Sequence, residues 1–208
     1  YALGFAGYFW EFFLKYLPGV SEGAFGLLGE GGAILLVTLL IGVAFIRLNA
    51  RGSAVTGKAE NVLTVTKLFV LGIFIMYGLR RGVAMPDQAV QSFSPFFPEG
   101  MGGVIVAMGL TFIAFEGYDL IATVAEEIKE PEKNIPRAIF ISLGITMVMY
   151  MLILFVALAA VSPPDGQPSW RFLGDYGETA IVRAAEGFMP AFGVAIIVFG
   201  GLLSTMSA

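Results

Sequence analysis

Apolar residues run in long blocks along this chain, and short polar stretches separate them. "GGAILLVTLLIGVAFIRLNA" contains a complete apolar run over residues 31–48, and "VLTVTKLFVLGIFIMYGL" one over about 62–79 that stops at Arg80-Arg81. A membrane-spanning helix needs about 20 mostly apolar residues, so each block predicts a span. Residues 1–14 predict part of another, with Glu11 and Lys15 at its exit. Further spans are expected at about 101–128, 138–161 and 190–208, the last of them truncated. Turn residues fill "MPDQAVQSFSPFFPEG", which reads as a loop. The stretch "ETAIVRAAEGF" reads as a short amphipathic helix, either on the membrane surface or packed into the protein.

Composition agrees with the pattern. The 208 residues are 57% hydrophobic and 13% charged, too few charges to cover a soluble domain. The fold class expected is therefore an all-α membrane protein, a multi-span helical bundle in a lipid bilayer. A net charge of −4 leaves no nucleic-acid footprint. The chain has no Cys and no His, which excludes thiol nucleophiles, Ser–His–Asp chemistry and most zinc sites. No metal or cofactor is expected. Tyr1 lies inside an apolar run and "GGLLSTMSA" stops within another, so the chain reads as an internal fragment of a larger multi-pass protein of the cell membrane. The loops at 47–58 and 129–137 hold Arg47, Arg51, Lys58, Lys129, Lys133 and Arg137, against Lys15, Arg80, Arg81, Arg171 and Arg183 on the other side. Six against five tilts the first group to the cytoplasm by one residue.

The segment "FIAFEGYDLIATVAEEIKEPEKNIPRA" at 112–138 departs from the pattern, because Glu116, Gly117 and Asp119 interrupt its apolar run. A continuous helix over 101–128 would be about 42 Å long, against a hydrocarbon core of about 30 Å. It would also hold Glu116 near mid-bilayer, at roughly 2.5–3.5 kcal/mol or more on a lipid-facing helix. A break at about 114–119 relieves both problems. Gly117 permits unusual backbone angles, and Asp119 can cap a second half-helix. The unwound carbonyls then face a protein cavity, and their partial negative charge suits an ammonium or a metal cation. Broken helices of this kind build substrate sites in secondary transporters.

This segment resembles the sixth helix and following loop of amino-acid permeases in the amino acid–polyamine–organocation superfamily. "LNARGSAVTGKAENVLTVTKLFVLGIFI" is similar to that family's passage from the fourth to the fifth helix, and "GGLLSTMSA" to the start of its eighth. The resemblance implies part of a five-plus-five inverted-repeat transporter fold with a broken sixth helix, here from about helix three to helix eight. It implies secondary transport of amino acids or related amines, with an amino acid or amine and a proton as partners. The residue that covers bound substrate, often aromatic in relatives, corresponds to Ile113, with Phe112 beside it. Carbonyls near Ile113, Ala114 and Glu116 would receive the substrate amine, so the implied binding set is Phe112, Ile113, Ala114, Phe115, Glu116, Gly117 and Asp119. A carboxylate at Glu116 fits a cationic substrate, a proton site or a protonated hydrogen-bonding acid.

Lys67 lies about one and a half turns inside its predicted span, too deep for easy snorkelling. In some relatives a lysine here stands where sodium-coupled cousins hold sodium and contacts helix-eight hydroxyls. Ser204 and Thr205 would be the partners, and the three would couple transport to protons. Burial favours a neutral amine and hydroxyls favour an ammonium, so a lysine so placed can exchange a proton. Glu126 and Glu127 sit at a helix C-terminal end that disfavours acids; they either pair with Arg51 or Lys58 or belong to an inner gate. Gly102, Gly103, Gly200 and Gly201 read as close helix packing.

Two other functions stand beside the transporter. A cation transporter or channel of the same fold would need a ring of pore-lining carbonyls or acids. An intramembrane aspartyl protease would need Asp119 in "GYD" to share a proton with a second embedded Asp, and the candidate, Asp175 in "FLGDYG", lies in a proline-rich loop.

Overall fold

The computed structural model describes residues 2–16, 29–50, 57–115, 117 and 128–206, and every regular element among them is helical. In chain order these are α1 (Ala2–Tyr16), α2 (Gly29–Ala50), α3 (Gly57–Ala84), α4 (Pro86–Gln91), α5 (Gly100–Ala114), α6 (Pro131–Ala160), α7 (Ser169–Asp175), a 3₁₀ turn (Gly177–Thr179), α8 (Ala180–Phe188) and α9 (Ala191–Met206). The stretches Asn61–Ala84 and Pro131–Ala160 are long and apolar enough to cross a membrane, and Gly31–Ala44, Gly100–Phe112 and Ala191–Thr205 are shorter apolar helices.

Two starts differ from expectation for the same physical reason. α6 begins at Pro131, within the stretch read as a loop, because proline at the first helical position loses no hydrogen bond and carries a helical φ. α4 begins at Pro86 in the same way, inside the turn-rich stretch.

The core forms where α3, α6, α8 and α9 meet, at Phe74, Val156, Val182 and Val198, all fully buried. A smaller cluster joins α1 to α2 through Phe5, Ala6 and Val37, with Leu202 of α9 against it. Small residues allow the close approaches. A Cβ on Gly78 would come within 1.8 Å of Val156 Cγ1, one on Gly200 within 2.7 Å of Val70 Cγ1, and one on Gly201 within 2.3 Å of Tyr8 Cε1. The packing expected of Gly200 and Gly201 is therefore present. Gly102 meets nothing within 4 Å, and Gly103 meets only Glu99 at the start of its own helix.

α8 packs into the protein rather than lying on a surface: Val182, Ala184 and Ala185 are fully buried. Its outer side carries Arg183, which ion-pairs with Glu11 of α1 and, at 3.0 Å, with Glu186. The guanidinium also lies 5.0 Å from the centre of the Tyr176 ring. Burial works against its charge, but the hydrogen bond to Glu186 and the charges of Glu11 and Glu186 outweigh burial and push its pKa up. Glu11 is thus a buried half of an ion pair, 7% exposed, and not a helix-exit marker facing water.

Elsewhere the helices present apolar side chains outward. Ile105, Met108, Leu110 and Phe112 of α5 and Phe140, Val148 and Met151 of α6 are all more than half exposed. In water such faces would drive aggregation; they suit a lipid or protein neighbour. Thr38, Thr66 and Thr111 each donate to the carbonyl four residues earlier, at 2.8 Å, so their hydroxyls are satisfied within the helix.

Candidate functional site

α5 ends at Ala114. The Phe115 amide donates to the Phe112 carbonyl at 3.1 Å, an i to i+3 bond that tightens the last turn. The Ala114 carbonyl accepts from the Tyr150 hydroxyl of α6 at 3.1 Å. The Phe115 ring meets the Tyr150 ring edge-on, with centroids 5.4 Å apart and planes at 64°. Gly117 has φ +103°, a conformation that side chains resist and glycine adopts readily. Phe112 is 66% exposed and Phe115 is half-buried. Of the other expected site residues, Glu116, Asp119, Glu126 and Glu127 lie outside the described residues, as does the side chain of Ile113.

The second candidate region is a cavity of about 210 Å³ between α1, α3, α8 and α9. Lys67 and Ser204 both line it, and Tyr8 adds a third polar side chain to walls that include Val70, Gly200 and Gly201. α3 starts at Gly57, so Lys67 sits about three turns into its helix, deeper than its apolar run implies, and it is half-buried. Ser204 and Thr205 diverge. The Thr205 hydroxyl donates to the carbonyls of Gly201 and Leu202 at 2.9 and 3.1 Å. Its methyl faces α1, where a Cβ on Gly4 would lie 3.4 Å away. Neighbouring residues on a helix point about 100° apart, and Ser204 is the one directed to the Lys67 cavity. Tyr8 and Tyr150 escaped the sequence reading. The available signal was a hydroxyl inside an apolar helix, which requires a partner.

A helix that stops at a glycine-adapted turn, and a lysine beside a serine and a tyrosine in a largely apolar cavity, suit transport. Comparison with known proteins decides the matter: the amino acid permease family model matches residues 1–208. The chain belongs to the amino acid permease family. The permease is similar to the inner membrane transport protein YbaT of Escherichia coli, 30% identical over 86% of this chain and 39% of that protein. It is 32% identical to the methylthioribose transporter of Bacillus subtilis, over 67% of this chain and 27% of that protein. It is 30% identical to the branched-chain amino acid permease BcaP of Bacillus subtilis, over 73% of this chain and 32% of that protein. The chain thus spans well under half the length of each of these relatives. The permease is an integral membrane protein of a transport family, so the aspartyl-protease alternative is set aside. Asp175 ends the short helix α7, in the connection between α6 and α8.

Proposed function

We propose that the full-length permease is a secondary active transporter of amino acids or related amines, coupled to protons through Lys67. The observation that carries this reading is the cavity shared by Lys67 and Ser204. The Lys67 side chain lines it together with the hydroxyl-bearing Tyr8 and Ser204 and the apolar Val70 and Ile197. A proton-driven cycle requires the surroundings of such an amine to differ between its two states. The carbonyl end of α5 is the proposed amine site, with Phe112, Ile113, Ala114, Phe115, Glu116, Gly117 and Asp119 around it. Support comes from the end of α5 at Ala114 and the positive φ of Gly117. Thr205 is the less favoured partner of Lys67, because its hydroxyl is engaged by its own helix.

Relatives named for branched-chain amino acids and for methylthioribose define the substrate panel. Full-length protein in proteoliposomes should take up at least one labelled amino acid without sodium, faster with an inward proton gradient. A transporter that moves only methylthioribose-like cargo, or only inorganic cations, would overturn the amino-acid reading.

A further inference from the structure

We propose that Tyr150 is a positioning residue for the amine-binding end of α5, acting through the Ala114 carbonyl. This rests on the proposed reading of that end as the amine site. The last carbonyls of a helix have no amide partner in the next turn and concentrate its negative end. Ala114 is the last residue of α5, and the Tyr150 hydroxyl donates to its carbonyl at 3.1 Å. A carbonyl oxygen has two lone pairs; the phenol takes one, and the other is the acceptor assigned to the ammonium. The phenol also fixes the plane of that peptide, and hence the direction of the remaining lone pair. The edge-on contact of Phe115 with the Tyr150 ring holds the following residue as well.

Tyr150 can do this because its own helix is anchored. Six residues further along α6, Val156 is fully buried and packs so closely on Gly78 of α3 that a Cβ there would come within 1.8 Å. α6 is a helix of 30 residues, stiff over the fewer than two turns between Tyr150 and Val156. Through Tyr150, the core of the bundle therefore sets where the end of α5 points. Without the hydroxyl, the ring contact persists but the carbonyl is free to turn, and an incoming amine meets an acceptor that must be ordered on binding.

The test uses Tyr150→Phe in the full-length protein, which removes one oxygen and keeps the ring on Phe115. Uptake kinetics for an amino acid that the wild type carries should show a KM raised about 3- to 10-fold, the effect of one neutral hydrogen bond. Vmax and the melting temperature in detergent should stay at wild-type values. An unchanged KM overturns the proposal. So does a loss of Vmax and melting temperature with KM untouched, which would make Tyr150 a packing residue. Failure of the wild type itself to carry any amino acid or amine would instead overturn the amine-site reading beneath it.

Discussion

α9 and α5 are both apolar helices of similar length, yet the protein treats them in opposite ways. α9 lies against α1 and α3 through contacts that only glycine permits, with Gly200 on Val70 and Gly201 on Tyr8. α8 is clamped to α1 beside it by Arg183 and Glu11. α5 makes no broad contact with another helix among the described residues; a hydrogen bond and a ring contact at its C-terminal end tie it to α6. Close packing of small residues makes a frame whose parts cannot shift without collision. A helix held at one end by directional contacts is instead aimed. The Lys67 cavity lies within the frame, and the proposed amine site lies at the aimed end.

The largest effect should come from breaking the clamp. Arg183→Ala removes the ion pairs to Glu11 and Glu186 together from a partly buried site, at about 1–3 kcal/mol. The full-length protein in detergent should show a clearly lowered melting temperature. Arg183→Met combined with Glu11→Gln should recover part of it, because the cation and its α1 carboxylate are replaced together while the packing of both chains is kept. A single Arg183→Ala variant as stable as wild type would show that the frame does not depend on this pair.

Next in size is the glycine contact. Gly201→Ala places a methyl in the Tyr8 ring, and overpacking of this kind costs about 1–3 kcal/mol. Gly144→Ala in α6, with nothing within 4 Å of its added Cβ, is the control and should be neutral or slightly stabilising. Equal melting temperatures for the two variants would erase the distinction between packed and open helix faces. The smallest effect is that of Tyr150→Phe, confined to KM, and it marks the aimed end of α5 as functional rather than structural.

Helix existence was legible in the apolar blocks, because a bilayer admits little other than helices for such runs. Helix starts were less so, since Pro131 and Pro86 read as loop residues until their place at the first helical position is known. The amphipathic pattern of α8 left two environments open, and burial of Val182, Ala184 and Ala185 selects the protein interior. For the candidate sites, Lys67 and Ser204 were legible as polar residues in apolar helices, and the cavity adds Tyr8 from α1. Contacts between distant positions were not legible. Nothing local in the sequence joins Glu11 to Arg183, or Ala114 to Tyr150, because those pairs depend on how the helices are arranged in space.

Proton coupling through Lys67 is the central claim, and gradient-driven uptake tests it most directly. Wild-type full-length protein and Lys67→Ala should be compared in sodium-free proteoliposomes, with and without an inward proton gradient. The account predicts that the gradient accelerates wild-type amino-acid uptake and leaves the Lys67→Ala protein unaffected, although that variant still folds and still binds substrate. A Lys67→Ala protein whose uptake responds to the gradient as the wild type does would contradict it, and would move the coupling role to another group, Glu116 first.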